Sequence, residues 1–493
     1  MNKGIKKNKI LIIGAGEAGR IILSEYVRKN RMDEIAGFID DDADKAGKTI
    51  DGIPVLAGCD RLKDIIAAQR ISQVIIALPS VQVEIISRTV SAVIAADPGI
   101  SIQILPKITR YFNSQLSKEL EDVCLTDVVD RKEVELDIDA IQEKFRDKTV
   151  LITGAGGSIG SEICRQLFRF DVKKLICIGR GENSIYNLIK SLGEYLEFIE
   201  RKPEIIYKII DIKDKKLLGQ AFAKYRPDIV FHAAAHKHVP LMEYNEAEAI
   251  QNNVGGTLNV LDLCVKYCVK NFVLISSDKA VRPVNIMGAT KRLAEIVTDY
   301  FNRKMCVKTS IVRFGNVIGS RGSVIPLFRD QIEKGGPVTI THPDITRYFM
   351  SIPEASLLVI NAAAYSRGGE CFVLDMGRQH KILDIANNLI RLYGYEPDRD
   401  IKVVFTGLRP GEKLYEELSY AGENVVKTGN NKIFVIDAGM PEINKIESFI
   451  ENRLSGLHGL GPKMIRELLS GIIREYDHSS FNDTKDTSDR FVN

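Results

Sequence analysis

Apolar residues run along this chain in short blocks rich in Ile and Val, each followed by a longer stretch with apolar positions three and four residues apart. The blocks are continuous rather than alternating. That pattern predicts strands covered on both faces, and so a parallel sheet flanked by helices. The first series predicts strands at Ile10–Ile13, Ile35–Ile39, Val74–Leu78 and Ile102–Leu105, with helices over Gly19–Arg28 and Val83–Ala95. A second, longer series predicts strands at Val150–Thr153, Lys174–Ile178, Ile205–Ile210, Ile229–His232, Phe272–Ser276 and Ser310–Arg313. Its helices fall at Ser158–Phe168, Leu217–Lys224, Asn252–Tyr267 and Gly288–Phe301. Between the two series, residues 110–147 are charge-rich and end in a short predicted helix, Asp139–Phe145, as a linker would. After Asn316 the alternation weakens. Residues 317–440 read as loops and a smaller cap, 441–477 as helical, and 478–493 as a polar, disordered tail.

The same short element opens both series: a strand, a glycine loop, then an amphipathic helix. The first copy carries Gly14-x-Gly16-x-x-Gly19, with Asp40 closing the next strand. Such glycines let a pyrophosphate approach a helix N-terminus, and a carboxylate at that strand end reaches ribose hydroxyls. Nucleotide binding and a role in contacts or regulation stay equally open for this copy. The second carries Thr153-Gly154-x-x-Gly157-Ser158-Ile159-Gly160, a three-residue rhythm that resembles the short-chain dehydrogenase/reductase superfamily. The expected fold class is therefore α/β: two tandem Rossmann-like, doubly wound parallel-sheet domains. Residues 1–109 form the accessory domain, and residues 148–440 an extended dehydrogenase/reductase domain with a small C-terminal substrate subdomain.

Composition narrows the partners. Lys plus Arg is 68 and Asp plus Glu 65, so the formal charge is only +3, which disfavours a polyanion as the default ligand. Hydrophobic residues at 45% exclude wholesale disorder. The eight cysteines form no Cys-x-x-Cys and no zinc spacing, so no metal is expected and the thiols fit a reducing cytosol. With no signal-peptide pattern and no long apolar span, a cytoplasmic protein without a membrane-spanning segment is expected. Leu457-His-Gly459-Leu-Gly461 resembles a DNA-binding hairpin turn, but one copy without basic surroundings reads as a packing element, so no nucleic acid is expected.

The strand ends of the second series carry the candidate chemistry. Gly179-Arg180 stands where a carboxylate would grip the ribose of NAD; an Arg there suits a 2′-phosphate, which favours NADP over NAD without excluding NAD. Asp211 and Ile212 close the third strand, where the superfamily resemblance implies contact with a cofactor's adenine. Ala233 and Ala234 are small enough to pass beneath a cofactor, and Lys237 projects beyond them towards a sugar or phosphate. The superfamily's Tyr-x-x-x-Lys pair reads here as Met287-x-x-x-Lys291. A Met exchanges no proton, so simple oxidoreductase chemistry is not expected.

The run Ser276-Ser277-Asp278-Lys279, with Met287 and Lys291, resembles the nucleotide-sugar 4,6-dehydratases, in particular the large-chain branch similar to UDP-N-acetylglucosamine 4,6-dehydratase. Further matching runs are Arg313-Phe-Gly-Asn316, Ser320-Arg321-Gly322-Ser323, Thr346-Arg347 and Arg409-Pro-Gly411-Glu412-Lys413. The chain departs from the pattern at Gly179-Arg180 and in lacking the transmembrane helices with which many such members begin. The resemblance implies a lyase that makes a UDP-4-keto-6-deoxy-hexosamine for polysaccharide or glycoconjugate synthesis, with a tightly bound NADP or NAD recycled internally. It implies Lys279 as the carbon-5 base, Asp278 as the acid, Ser277 holding the 4-hydroxyl and Lys291 orienting the nicotinamide ribose. Asp278 and Ser277 both stay open as acceptors of the 4-hydroxyl proton. Burial and nearby positive charge are expected to lower the pKa of Lys279. Arg313, Asn316, Arg321, Ser323 and Arg409 suit a UDP-sugar, and Glu412 a ribose or an Arg. Helices flanking such sites often pair with a second subunit, so a homo-oligomer is expected. The competing readings are a UDP-sugar 4-epimerase and a non-catalytic nucleotide-sugar-binding regulator.

Overall fold

The computed structural model describes residues 9–28, 30–78, 89–90, 92–93, 96–97, 100–104, 121–122, 136–196, 201–305, 307–393, 395–419, 425–436, 443–451 and 461–477. Its contacts divide the chain into two compact units. The first comprises 1–133, 327–340 and 383–404; the second comprises 134–326, 341–382 and 405–493. The expected helix at 83–95, most of the expected linker, the hairpin-like run at 457–460 and the expected tail at 478–493 lie wholly or largely outside the described residues. No described helix is long and apolar enough to cross a membrane.

The first unit holds β1 (Lys9–Ile13), β2 (Ile35–Ile39), β3 (Thr49–Ile50), β4 (Ile53–Ala57), β5 (Ile71–Ile76), β6 (Ser101–Ile104) and β7 (Glu121–Asp122). They form one sheet in the order β3-β4-β2-β1-β5-β6-β7. Pairing is parallel except where β3 and β7 close the edges. β3 and β4 are an unexpected hairpin: Asp51 and Gly52 both take positive φ, and their polar character hid the strands on either side.

The second unit opens with β8 (Thr149–Thr153), β9 (Lys174–Gly179), β10 (Glu204–Ile209), β11 (Ile229–His232), β12 (Asn271–Ile275) and β13 (Lys308–Arg313). Beyond them come β14 (Asn316–Val317), β16 (Thr346–Met350), β17 (Cys371–Leu374), β18 (Gln379–Lys381), β20 (Val425–Lys427) and β21 (Ile433–Ile436), whereas β15 (Val338–Ile340) and β19 (Val403–Phe405) pair with each other in segments that fall to the first unit, save Phe405. The main sheet runs β10-β9-β8-β11-β12-β13-β17-β21-β20, parallel through β17 and antiparallel at its last two strands. Strand order reverses between β8 and β11, the place where open α/β sheets bind ligands. Residues 317–440 are therefore more than loops and a cap. β17 continues the main sheet with helix Ile352–Tyr365 packed against it, and among the described residues β14, β16 and β18 form a separate small sheet in this unit. Residues 355–363 of that helix are buried on every side, so it carries no amphipathic signal.

Alternate residues of each strand feed opposite cores. Leu151, Ile176, Val230, Phe272 and Leu274 join one core, which also takes Met287, Leu293 and Val297 from helix Ile286–Lys304. Val150, Ile152, Cys177, Phe231 and Val273 join the other, against helices Ser158–Leu167 and Ile352–Tyr365. Helix Pro462–Ile472 adds Ile465 and Leu469 to the first core. Its buried Arg466 reaches Glu243 and Glu246, and Glu243 in turn accepts the Ile286 N–H, so the C-terminal helix braces the start of helix Ile286–Lys304.

Candidate functional site

The glycine loop after β8 is shaped for close approach. Gly154 sits at φ +65°, and a Cβ there would meet the Ala233 carbonyl carbon at 2.7 Å. Helix Ser158–Leu167 begins at Gly157 with no side-chain cap, so its first N–H groups face outward, as an anion site requires. Ser158 and Ile159 are half-buried on its first turn, and Gly160 fits only because a Cβ would collide with the Gly154 carbonyl. Ala233 and Ala234 lie half-buried at the end of β11, across the switch point. Thr153 corrects an expectation. It is fully buried, and its hydroxyl bonds His232 Nδ1 at 2.7 Å, while its carbonyl accepts the Ala233 N–H. It ties β8 to β11 and offers no side-chain contact to a cofactor. His232 is held neutral, its pKa pushed down to about 3 by burial and Lys291.

Arg180 is exposed beyond β9. Its guanidinium lies 3.7 Å from Glu248 and 3.9 Å from Asp211, and Lys213 bonds Glu248 at 2.7 Å. Two cations and two carboxylates thus share this corner. Ile212 is buried and packs so close to Gly256 that a side chain there would strike it.

The Ser-Asp-Lys turn lies at the end of β12. Ser277 caps a single tight turn, Asp278–Ala280. Ser277 Oγ donates to Asp278 Oδ1 at 2.9 Å, and Lys279 Nζ donates to the same oxygen at 3.0 Å and to Asn316 Oδ1 at 3.0 Å. Helix Ile286–Lys304 starts against this turn. Asn285 caps it, and Gly288 must be glycine because any Cβ would run into the Lys279 carbonyl. One turn on, Lys291 Nζ donates to the Ile275 carbonyl at 2.6 Å, and burial lowers its pKa to about 8. Met287 is buried in the core.

Lys279 departs from expectation. Burial does pull its pKa down, but the carboxylates of Asp278 and Glu416 outweigh burial and Arg347, and the net direction is up. The difference comes from Glu416, whose Oε1 lies 3.6 Å from Lys279 Nζ. Glu416 is 137 residues away in the chain, and a Glu-Glu pair in a loop carries no local signal of burial. Arg347, from β16, lies beside it at 4.0 Å and gives its hydrogens to the carbonyls of Thr346, Lys413 and Leu414.

Arg313 is the second correction. It is 1% exposed, and its guanidinium forks onto Glu295 at 2.8 and 2.7 Å. Its guanidinium is thus engaged by Glu295 in the sheet interior. Asn316 faces Lys279. Arg321 and Arg409 are exposed; Glu412 forks onto Arg409 and so orients it. Lys237 reaches Ser320 at 3.4 Å, and the hydroxyl of half-buried Ser323 has no partner. Among the described residues no cluster of ligating side chains could hold a metal.

Residues 150–438 match the family described as polysaccharide biosynthesis protein, and residues 1–106 a family described as CoA-binding domain. The chain is 44% identical to a probable polysaccharide biosynthesis protein, EpsC, of Bacillus subtilis, over 92% of this chain and 76% of that one. It is 35% identical to a UDP-glucose 4-epimerase of Rickettsia canadensis, over 62% and 88%. It is 31% identical to an inverting UDP-N-acetylglucosamine 4,6-dehydratase of Campylobacter jejuni, over 63% and 89%. Among solved structures, Pen from Bacillus thuringiensis matches with a TM-score of 0.54 and 32% identity, over 62% of this chain and 99% of that one.

Proposed function

The chain belongs to the polysaccharide biosynthesis protein family, and from that premise we propose that it is an NAD(P)-dependent UDP-N-acetylglucosamine 4,6-dehydratase acting in the cytoplasm. One observation carries the reading. A buried Met, 2% exposed, stands at position 287, while a hydroxyl, a carboxyl and an amine lie in mutual contact at 277–279. A site with an acid and a base but no phenol suits elimination better than epimerisation, which normally uses that Tyr. The relative named as an epimerase keeps the second reading in view.

The proposed reaction removes water across carbons 5 and 6 of the sugar. The chemistry supplied by a bound nicotinamide is the storage of the hydride that leaves carbon 4 and comes back at carbon 6. The open helix N-terminus at Gly157, with Gly154, Ser158, Ile159 and Gly160, would hold its pyrophosphate. Asp211, Ile212, Ala233 and Ala234 would line its adenosine half, and Arg180 would favour a 2′-phosphate. Lys291 would orient the ribose nearest the sugar. Ser277 would hold the 4-hydroxyl, and Asp278 would carry that proton across to the departing 6-hydroxyl. The 4-ketone acidifies carbon 5; Lys279 would take that proton and later return it. Asn316 fixes the Lys279 ammonium. Lys237, Arg321, Ser323 and Arg409, the last held by Glu412, would contact the UDP-sugar.

The test is to incubate the protein with UDP-N-acetylglucosamine and NADP or NAD, and to follow the sugar nucleotide by mass spectrometry. Loss of one water without net cofactor reduction is expected. An isomer of unchanged mass would establish epimerisation instead.

A further inference from the structure

Resting on the dehydratase reading, we propose that Glu416 takes the ammonium proton of Lys279 when substrate binds and holds it through turnover, so that Lys279 can serve as a neutral base. Glu416 is a positioning residue: it acts on the chemistry only through Lys279.

The argument starts from a conflict. A lysine base must be neutral, yet its neighbours here favour the ammonium. The proton needs a destination inside a closed corner. Asp278 also has a buried oxygen without a donor, but in the proposed reaction it must stay ionised to accept the 4-hydroxyl proton, and Asn316 cannot titrate. Glu416 is 3% exposed, 3.6 Å from Lys279 Nζ, and its Oε2 is buried with no hydrogen-bond donor. A buried carboxylate oxygen without a donor is costly, and a proton on it removes the cost. The charged groups facing Glu416 are Lys279 and Asp278 from the turn after β12, Arg347 from β16 and Lys413 from its own loop. Arg347 gives Nη hydrogens to backbone carbonyls, and its Nε stays 4.0 Å from Glu416 Oε1, beyond hydrogen-bond reach. Burial and Asp278 raise the Glu416 pKa against the three cations.

The step balances. One N–H bond of Lys279 breaks, one O–H bond forms on Glu416, and an ion pair becomes a neutral pair with no change of oxidation state. A sugar covering the corner expels water and so favours the neutral pair. Lys279 then takes and returns the carbon-5 proton, and the Glu416 proton goes back when product leaves.

Two measurements test this. In the wild type, kcat should stay level from about pH 6 to about pH 7.5, below the range in which the Lys291 charge is lost, because the proton stays in the site. In Glu416→Gln it must leave for solvent, so kcat should drop by about tenfold or more near neutral pH and recover about tenfold per pH unit on the alkaline side. Glu416→Asp should restore the level profile. A Glu416→Gln loss equal at every pH, or no loss, overturns the proposal. The second measurement needs no turnover: the Lys279 signal of protein labelled with 13Cε-lysine, assigned with Lys279→Arg. Its titration midpoint should fall by about one unit in Glu416→Gln; an unmoved midpoint overturns the coupling. Wild-type protein that leaves UDP-N-acetylglucosamine intact would defeat the dehydratase reading while this titration still judges the pair.

Discussion

Two buried charge clusters sit a few residues apart at the end of β12, and they differ in what is left over. Around Glu295 every oxygen is used. Ser276 Oγ donates at 2.6 Å, Arg313 forks onto both oxygens, and Arg292 adds a contact at 3.2 Å. Despite burial, these donors hold the Glu295 carboxyl down at about 2. Around Lys279 the account does not close: Asp278 Oδ2 and Glu416 Oε2 are buried without donors. A satisfied cluster pins a strand to a helix; an unsatisfied one is kept for a ligand or a proton. Ser276 and Ser277 are neighbours that face different clusters, because successive residues of an extended chain point opposite ways.

Breaking each cluster should give opposite signatures. The largest effect is expected from Lys279→Ala, which should cut dehydration by about 10²–10⁴-fold in kcat while cofactor affinity barely moves; full activity would remove the base assignment. Glu295→Ala removes the carboxylate that Arg313 and Arg292 share in the core and should cost about 3–5 kcal/mol of unfolding free energy, read by urea titration. Its folded fraction should keep far more activity than Lys279→Ala.

Smaller effects sharpen the contrast. Arg180→Ala should weaken NADP binding about tenfold or more relative to NAD, since a charge-assisted contact to a phosphate is worth about 1.5–3 kcal/mol; equal loss of both cofactors would make Arg180 a partner of Glu248 and Asp211 only. Lys291 has its pKa lowered to about 8, so its charge is present below that pH and lost above it. If the charge orients the ribose, kcat/KM should fall on the alkaline side with a midpoint near that value, and Lys291→Arg should move the fall to higher pH.

The amino-acid sequence by itself determined the two α/β series, the glycine loops and the Ser-Asp-Lys turn. Those features are local: continuous Ile/Val blocks mean covered strands, and a glycine rhythm after a strand means a backbone turn, whatever lies elsewhere in the chain. Helix Ile352–Tyr365 and β17 escaped because a helix buried on every side shows no periodicity. Tertiary structure alone decided which charged groups meet. Arg313 and Arg409 look alike in the sequence, yet one is locked on Glu295 in a sheet interior and the other is exposed in a loop. The basicity of Lys279 was equally unreadable, because it depends on Glu416, brought within 3.6 Å from 137 residues away. Electrostatic interactions act through space and fall with distance and dielectric, so their sign at a site follows from packing that no spacing along the chain reveals.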